Sequence, residues 1–261
     1  MQKLINKLKV PKVLLRYIMM NFMDIITIKK VILNVKSMNV LDNHSKNILE
    51  NAKKGFNWNC ENGHLTVAQW LYSPANVNIY ANEEYAFEMC CQNGHLAVAQ
   101  WLLGLETMYS LDQIYIHADN EYVFRLSCEC GHLAVAKWLF GLGTRDVSGQ
   151  INIHAKNEYA FRYSCVNGHL AVAQWLFGLG LGTTCCQTTC VSATRDVLGQ
   201  NKINIHAKNE YAFRLSCECG HLAVAQWLYS LGGVNIHANN DYAFRMSGKK
   251  KVKSWLNLIK N

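Results

Sequence analysis

Ten histidines, eleven cysteines and seven tryptophans are the side chains of this 261-residue chain that could carry chemistry. Imidazole and thiolate hold zinc when several converge in closely spaced pairs. Imidazole also moves protons near neutral pH, and a thiolate attacks carbonyls and disulfides. A row of indoles could stack on the bases of single-stranded nucleic acid.

The register of these residues points elsewhere. His64, His95, His132, His169 and His221 each follow a glycine. His117, His154, His206 and His237 each stand in an Ile-His-Ala triplet, so only His44 lies outside a pattern. Cys60, Cys91, Cys128, Cys165 and Cys217 sit three residues before the Gly-His pair. A small buried side chain recurring once per unit is the simplest account of them. Cys128/Cys130 and Cys217/Cys219 are C-x-C pairs, too tight for the usual zinc knuckle. Cys185, Cys186 and Cys190 share one Gly- and Thr-rich insert and are read as thiols without a role. Six tryptophans, Trp70, Trp101, Trp138, Trp175, Trp227 and Trp255, hold one position, the first five next to Gln69, Gln100, Lys137, Gln174 and Gln226 rather than a basic stripe. Packing against a neighbouring unit explains them better than stacking on bases. Gly-rich phosphate loops, G-x-S-x-G elbows and H-E-x-x-H pairs do not occur. The chain is therefore not expected to be an enzyme, and no cofactor and no metal site is expected.

The element that positions these residues is the stretch Gly-His-Leu-Ala-Val-Ala-Gln-Trp-Leu, whole or nearly so at Gly63–Leu71, Gly94–Leu102, Gly131–Leu139, Gly168–Leu176 and Gly220–Leu228. A worn copy, Gly248–Leu256, keeps Gly248, Val252, Trp255 and Leu256. Self-similarity at such a period marks stacked supersecondary units. Phe213, Ser216 and Cys217 fall at i, i+3 and i+4, the buried face of a first helix. Gly220 stops that helix, and Leu222, Ala225 and Leu228 give the apolar stripe of a second. Helices this short do not stand alone in water, so neighbours must stabilise them. The fold class expected is all-α, a helix–turn–helix repeat solenoid with short hairpin loops. Residues 1–44 would form a helical cap or small module, 45–247 about five repeats, and 248–261 a degenerate basic capping repeat.

These residues resemble the ankyrin repeat. The resemblance rests on the five Gly-His pairs, the second-helix leucines and the Val234–Ala238 loop, and covers about residues 45–247. Tyr-Ala-Phe-Arg at Tyr159–Arg162 and Tyr211–Arg214, and Tyr-Val-Phe-Arg at Tyr122–Arg125, replace the family's Thr-Pro-Leu-His. From the loop Ala to the Tyr the chain is shorter than in the family, which implies a shortened β-hairpin finger. In these departures it looks like the divergent arrays common in giant DNA viruses. The resemblance implies that the Gly-His imidazole bonds backbone near the turn. It also implies a non-catalytic scaffold that holds a protein partner on its concave face. The recognition residues would be Gln92/Asn93, Glu129/Cys130, Val166/Asn167 and Glu218/Cys219 before Gly-His, and Asn120/Glu121, Asn157/Glu158 and Asn209/Glu210 at the tips. Near-identity of the tips between copies argues against a selected paratope and leaves a degenerate array open.

Charge is uneven. The total is +8, with residues 1–60 at +8, 61–247 at −5 and 248–261 at +5. A uniformly basic nucleic-acid binder is not built this way, so a nucleic-acid partner is not expected, although the two basic ends keep that alternative open. Lys249, Lys250, Lys251 and Lys253 suit the polar outer face of a last repeat. Val13–Leu33 is apolar, but Arg16, Asn21, Asp24, Lys29 and Lys30 interrupt it, and no membrane partner is expected. Val10–Leu33 also loosely resembles an F-box, which would make the chain a substrate adaptor of a ubiquitin ligase. Without a secretory signal pattern, a reducing intracellular, cytoplasmic setting and a monomer are expected.

Overall fold

In a computed structural model, residues 54–72, 83–109, 116–143, 150–180 and 202–260 are described. The F-box-like segment and cap, His44, the cysteines of the insert and the 44/45 boundary lie outside them. The described chain is helical, with no strand among these residues. It divides into two compact units, the first with described residues 54–72, 83–90 and 95–109, the second with 91–94, 116–143, 150–180 and 202–260.

The first unit contains helix α1 (54–61), α2 (Leu65–Leu71), most of α3 (Glu83–Gln92) and α4 (Leu96–Tyr109). In the second unit helices alternate between two kinds. First helices are α5 (Ala118–Glu129), α7 (Ala155–Val166), α9 (Ala207–Cys219) and α11 (Ala238–Met246). Second helices are α6 (Leu133–Gly143), α8 (Leu170–Gly180), α10 (Leu222–Ser230) and α12 (Lys250–Ile259). α5 packs on α6, α7 on α8 and α9 on α10, while α7 lies against α5 and α9, and α9 against α11.

The predicted stripes are buried but for Leu222, which is half-buried while Val224 takes its place in the core. Phe213, Ser216 and Cys217 are buried on α9, and Val224, Ala225 and Leu228 on α10, as are Phe161, Ser164, Cys165, Val172, Ala173 and Leu176 one repeat earlier. Each Phe or Leu so buried stabilises by roughly 1.5–3 kcal/mol. The tryptophans pack between repeats: Trp227 meets Phe161 at 6.2 Å and Phe177 edge-on at 5.8 Å, and Trp255 meets Phe213 at 6.3 Å and Tyr229 at 5.8 Å. Trp175 lies likewise on Phe124 and Phe140, and in the first unit Trp101 on Phe56 and Tyr72.

The Gly-His pair closes each first helix and joins it to the next repeat. Gly131 has φ +83°, and a Cβ placed there would run into the imidazole of His169. Gly94 meets His132, Gly168 meets His221, and in the first unit Gly63 meets His95 in the same way. At the end of the series Gly220 takes the stem of Lys249 instead. A methyl group at this glycine would thus meet both a left-handed backbone and an occupied space. Gly131→Ala is expected to cost about 2–4 kcal/mol in urea unfolding. Gly141→Ala, in a helix with open space around it, should instead gain up to about 1 kcal/mol.

Candidate functional site

The loop that enters each first helix carries an unusual backbone. Lys156, Asn157 and Glu158 have φ of 53°, 57° and 61°, a full left-handed turn in non-glycine residues. Asp119–Glu121, Lys208–Glu210 and Asn239–Asp241 repeat it. Left-handed residues cost roughly 1–2 kcal/mol each, and what offsets that cost defines the site.

An arginine five residues past the central Asn holds the turn. Arg162 donates from Nε to the Asn157 carbonyl at 2.7 Å and from Nη2 to that of Lys156 at 3.2 Å. Arg125 does the same to Asn120 and Asp119, both at 2.8 Å. Arg214 clamps Asn209 and Lys208, and Arg245 clamps Asn240 and Asn239. The planar guanidinium also stacks on the tyrosine of the next repeat: Arg125 over Tyr159 at 4.8 Å, Arg162 over Tyr211 at 4.8 Å, and Arg214 over Tyr242 at 4.9 Å. Only a flat, forked cation can make both contacts at once.

The third left-handed residue faces inward. Glu158 is 7% exposed, lies 2.9 Å from Nδ1 of His154, and accepts from the backbone N–H of Asn204 in the next loop at 3.3 Å. Glu121 joins His117 at 2.9 Å to Asn152 at 3.2 Å. Glu210 joins His206 at 2.7 Å to Asn235 at 3.2 Å. In place of a hairpin finger, each loop turns on its own asparagine, with Oδ1 of Asn152, Asn204 and Asn235 accepting the N–H of His154, His206 and His237.

Above these clamps runs a row of half-buried tyrosines. Tyr159 and Tyr163 stack at 4.2 Å. The Tyr159 hydroxyl donates to Glu129 at 2.8 Å, that of Tyr242 to Glu218 at 2.8 Å, and that of Tyr211 to the Tyr163 oxygen at 3.4 Å. Burial, then the Glu129 bond, raises the Tyr159 phenol. The Tyr163 bond, then burial, pushes Tyr211 up to about 12. These hydroxyls are donors held in place, not bases.

No protein-family model matches the chain, and no curated protein matches it in sequence.

The expected recognition residues divide sharply. Asn120, Asn157 and Asn209 are exposed at the turn apices. Glu121, Glu158 and Glu210, expected beside them at the tips, are buried, because the left-handed turn swings the third side chain onto the preceding His. Before Gly-His, Asn93, Asn167 and Cys219 are exposed, while Gln92, Glu129, Cys130, Val166 and Glu218 are half-buried. Asn167 donates to the Glu129 carbonyl at 2.9 Å, tying two repeats together. The clamping arginines and the tyrosine row were not among the expected residues. Their signal was present: Tyr and Arg recur at one fixed distance from each apical Asn.

Thiol chemistry has little support among the described residues. Burial raises Cys60, Cys128 and Cys165 strongly and pushes Cys217 up to about 12. Burial and then Glu129 raise Cys130, and burial and then Glu218 raise Cys219. Among the described residues no cluster of three or more His, Cys, Asp or Glu is placed to hold a metal ion.

Three expectations follow. Arg162→Met, which leaves two turn carbonyls and a tyrosine face unmatched, should cost about 2–4 kcal/mol in urea unfolding. Lys156→Gly, relieving one left-handed residue, should gain up to about 1 kcal/mol. Acid should also weaken the fold through the turn histidines. Burial, then a neighbouring histidine, lowers His64 (by His95) and His169 (by His221) below the ordinary value of 6.5. The unfolded chain then binds those protons more readily, so their stabilisation is present above pH 6.5 and is lost as pH falls from there through the folded value. Urea midpoints measured from pH 7.5 downward should fall in that window, and His169→Gln should flatten the fall.

Proposed function

We propose that the chain is an ankyrin-type repeat solenoid that acts as a non-catalytic scaffold, binding a protein partner across its first helices and turn apices. One observation carries this reading. The groups that could do chemistry recur once per repeat and are used in holding the turns and joining neighbours. What faces outward is a polar and aromatic row: apical Asn120, Asn157 and Asn209, then Tyr122, Tyr159, Tyr163 and Tyr211. Amphipathic, rotamer-poor tyrosines beside small amides are the composition of protein-binding surfaces. The Tyr-x-Phe-Arg signature and the left-handed turn support a divergent form of the repeat, in which an arginine clamp does the work of the hairpin.

The tryptophans support this reading over nucleic-acid binding. Trp175, Trp227 and Trp255 are half-buried between repeats, each edge-on to an aromatic ring, so they do not form an open stacking platform. A cytoplasmic setting accords with the buried free thiols.

The test is directional. A photo-crosslinking residue placed at Asn157 or Asn209 should capture one defined partner in cells, and the same residue at Gln174 or Gln226 on the second helices should not. Asn157→Gly with Asn209→Gly, which remove the amides and keep the left-handed backbone without strain, should weaken that capture at least about tenfold, a loss of about 1.4 kcal/mol, without lowering the melting temperature. Equal capture from both faces would sink the proposal.

A further inference from the structure

We propose that the outer face of α12 docks on an anionic lipid bilayer surface, lying in the headgroup plane. This rests on the last repeat alone and does not depend on the partner-binding reading.

A terminal repeat needs a polar outer face and nothing more. α12 departs from that need in three ways. Its charges are all of one sign: Lys249, Lys250, Lys251, Lys253 and Lys260 are exposed, and no acid occurs between Arg245 and Asn261. Like charges repel, and a solvated cap is better served by mixed signs. Second, Lys250 and Lys251 open the helix, with no acidic residue in the first turn. Backbone N–H groups and the helix dipole make that end positive already, so cations there are disfavoured unless an anion meets them. Third, Leu258 is 80% exposed and Met246, at the end of α11, 45% exposed. An apolar side chain at such exposure works against a solubilising cap.

Lys250, Lys251 and Leu258 share one face, while Lys249, Lys253 and Lys260 lie off it. At 100° per residue Lys250, Ser254, Leu258 and Lys251 fall within an arc of about 100°, opposite Val252 and Leu256, which are buried against the preceding repeat. A surface that is anionic at the headgroups and apolar just beneath them matches both halves of this face: lysines for the first, Leu258 for the second. Nucleic acid would account for the lysines and leave Leu258 without a partner. Trp255 does not contribute, since it is packed on Phe213 and Tyr229. Among the described residues no helix is long and apolar enough to cross a membrane, so the mode of contact proposed is interfacial.

The experiment is flotation of the full chain with large vesicles of phosphatidylcholine, alone or with about 30 mol % phosphatidylserine. Expected is binding to the acidic vesicles that falls with added salt, and no binding to the neutral ones. Because residues 1–60 are also basic, the variants decide the assignment. Lys250→Glu with Lys251→Glu should weaken binding at least about tenfold, and Leu258→Ser about fivefold with no change in charge. Unchanged melting temperatures would show that both variants fold. No binding to acidic vesicles would overturn the proposal, as would a double-charge variant that binds like the parent. So would a Leu258→Ser variant that binds like the parent, and loss of duplex DNA binding only in the lysine variant would then assign those lysines to nucleic acid.

Discussion

Everything in the second unit hangs on a turn of the wrong hand. Three successive non-glycine residues adopt left-handed helix geometry, and the same turn opens four first helices. Unaided, such a turn would cost roughly 3–6 kcal/mol, more than a short helix can offset through its own hydrogen bonds. The arginine that clamps its carbonyls is supplied from inside the following helix, so turn and helix stabilise each other. That guanidinium in turn lies on a tyrosine of the next repeat, and the inward glutamate accepts from the next loop. Local strain is thereby coupled to stacking. In the three inner repeats the neighbour adds to the brace each turn has from its own arginine, while the turn at Asn239–Asp241 keeps the same geometry on its own Arg245.

The glycine at the other end of each first helix transmits the same dependence. Its left-handed φ lets the backbone reverse, and its missing side chain leaves room for the imidazole of the following repeat. The histidine is therefore an inter-repeat part as much as a turn part. At the last junction the Lys249 stem fills that room. A long apolar stem can replace a ring there while its ammonium reaches water. This is how the worn copy keeps the junction after losing its histidine.

Much of this was legible in the sequence. The two helices of each unit, the glycine stop, the Phe/Ser/Cys stripe and the Ala225 and Leu228 part of the second stripe follow from periodicity, and the tryptophans follow from their register; Val224 rather than Leu222 completes the buried face. The turn did not follow, for a physical reason. Ala-Lys-Asn-Glu consists mostly of good helix formers, and nothing in local propensity assigns a left-handed conformation to Lys156 or Glu158. Only Asn157 is a residue that tolerates it readily. The deciding contact is made by Arg162, five residues on, and by Tyr211, a full repeat away. A handedness fixed by tertiary contacts is invisible to any window shorter than the contact. The misplacement of Glu121, Glu158 and Glu210 at the surface is the direct result, since reversing the turn reverses which side chain faces the core.

The same turn bears on the sameness of the apices. Lys-Asn-Glu recurs almost unchanged, which by itself suggests drift or recent duplication rather than a surface shaped by a partner. A strained turn gives another reason. The third position must reach His154 or its equivalent, and the middle position must accept a left-handed φ, so both are restricted whatever the surface does. Variation has to be sought where the fold does not restrict it, one and two helical turns further along the first helices. There Leu126, Tyr163 and Leu215 differ at one level, Glu129, Val166 and Glu218 at the next, and Cys130, Asn167 and Cys219 beside them. These positions are half-buried or exposed and lie along the tyrosine row. They set the repeat of Tyr163, Val166 and Asn167 apart from its two neighbours, which are alike at all three positions, with the apical asparagines as a constant polar edge.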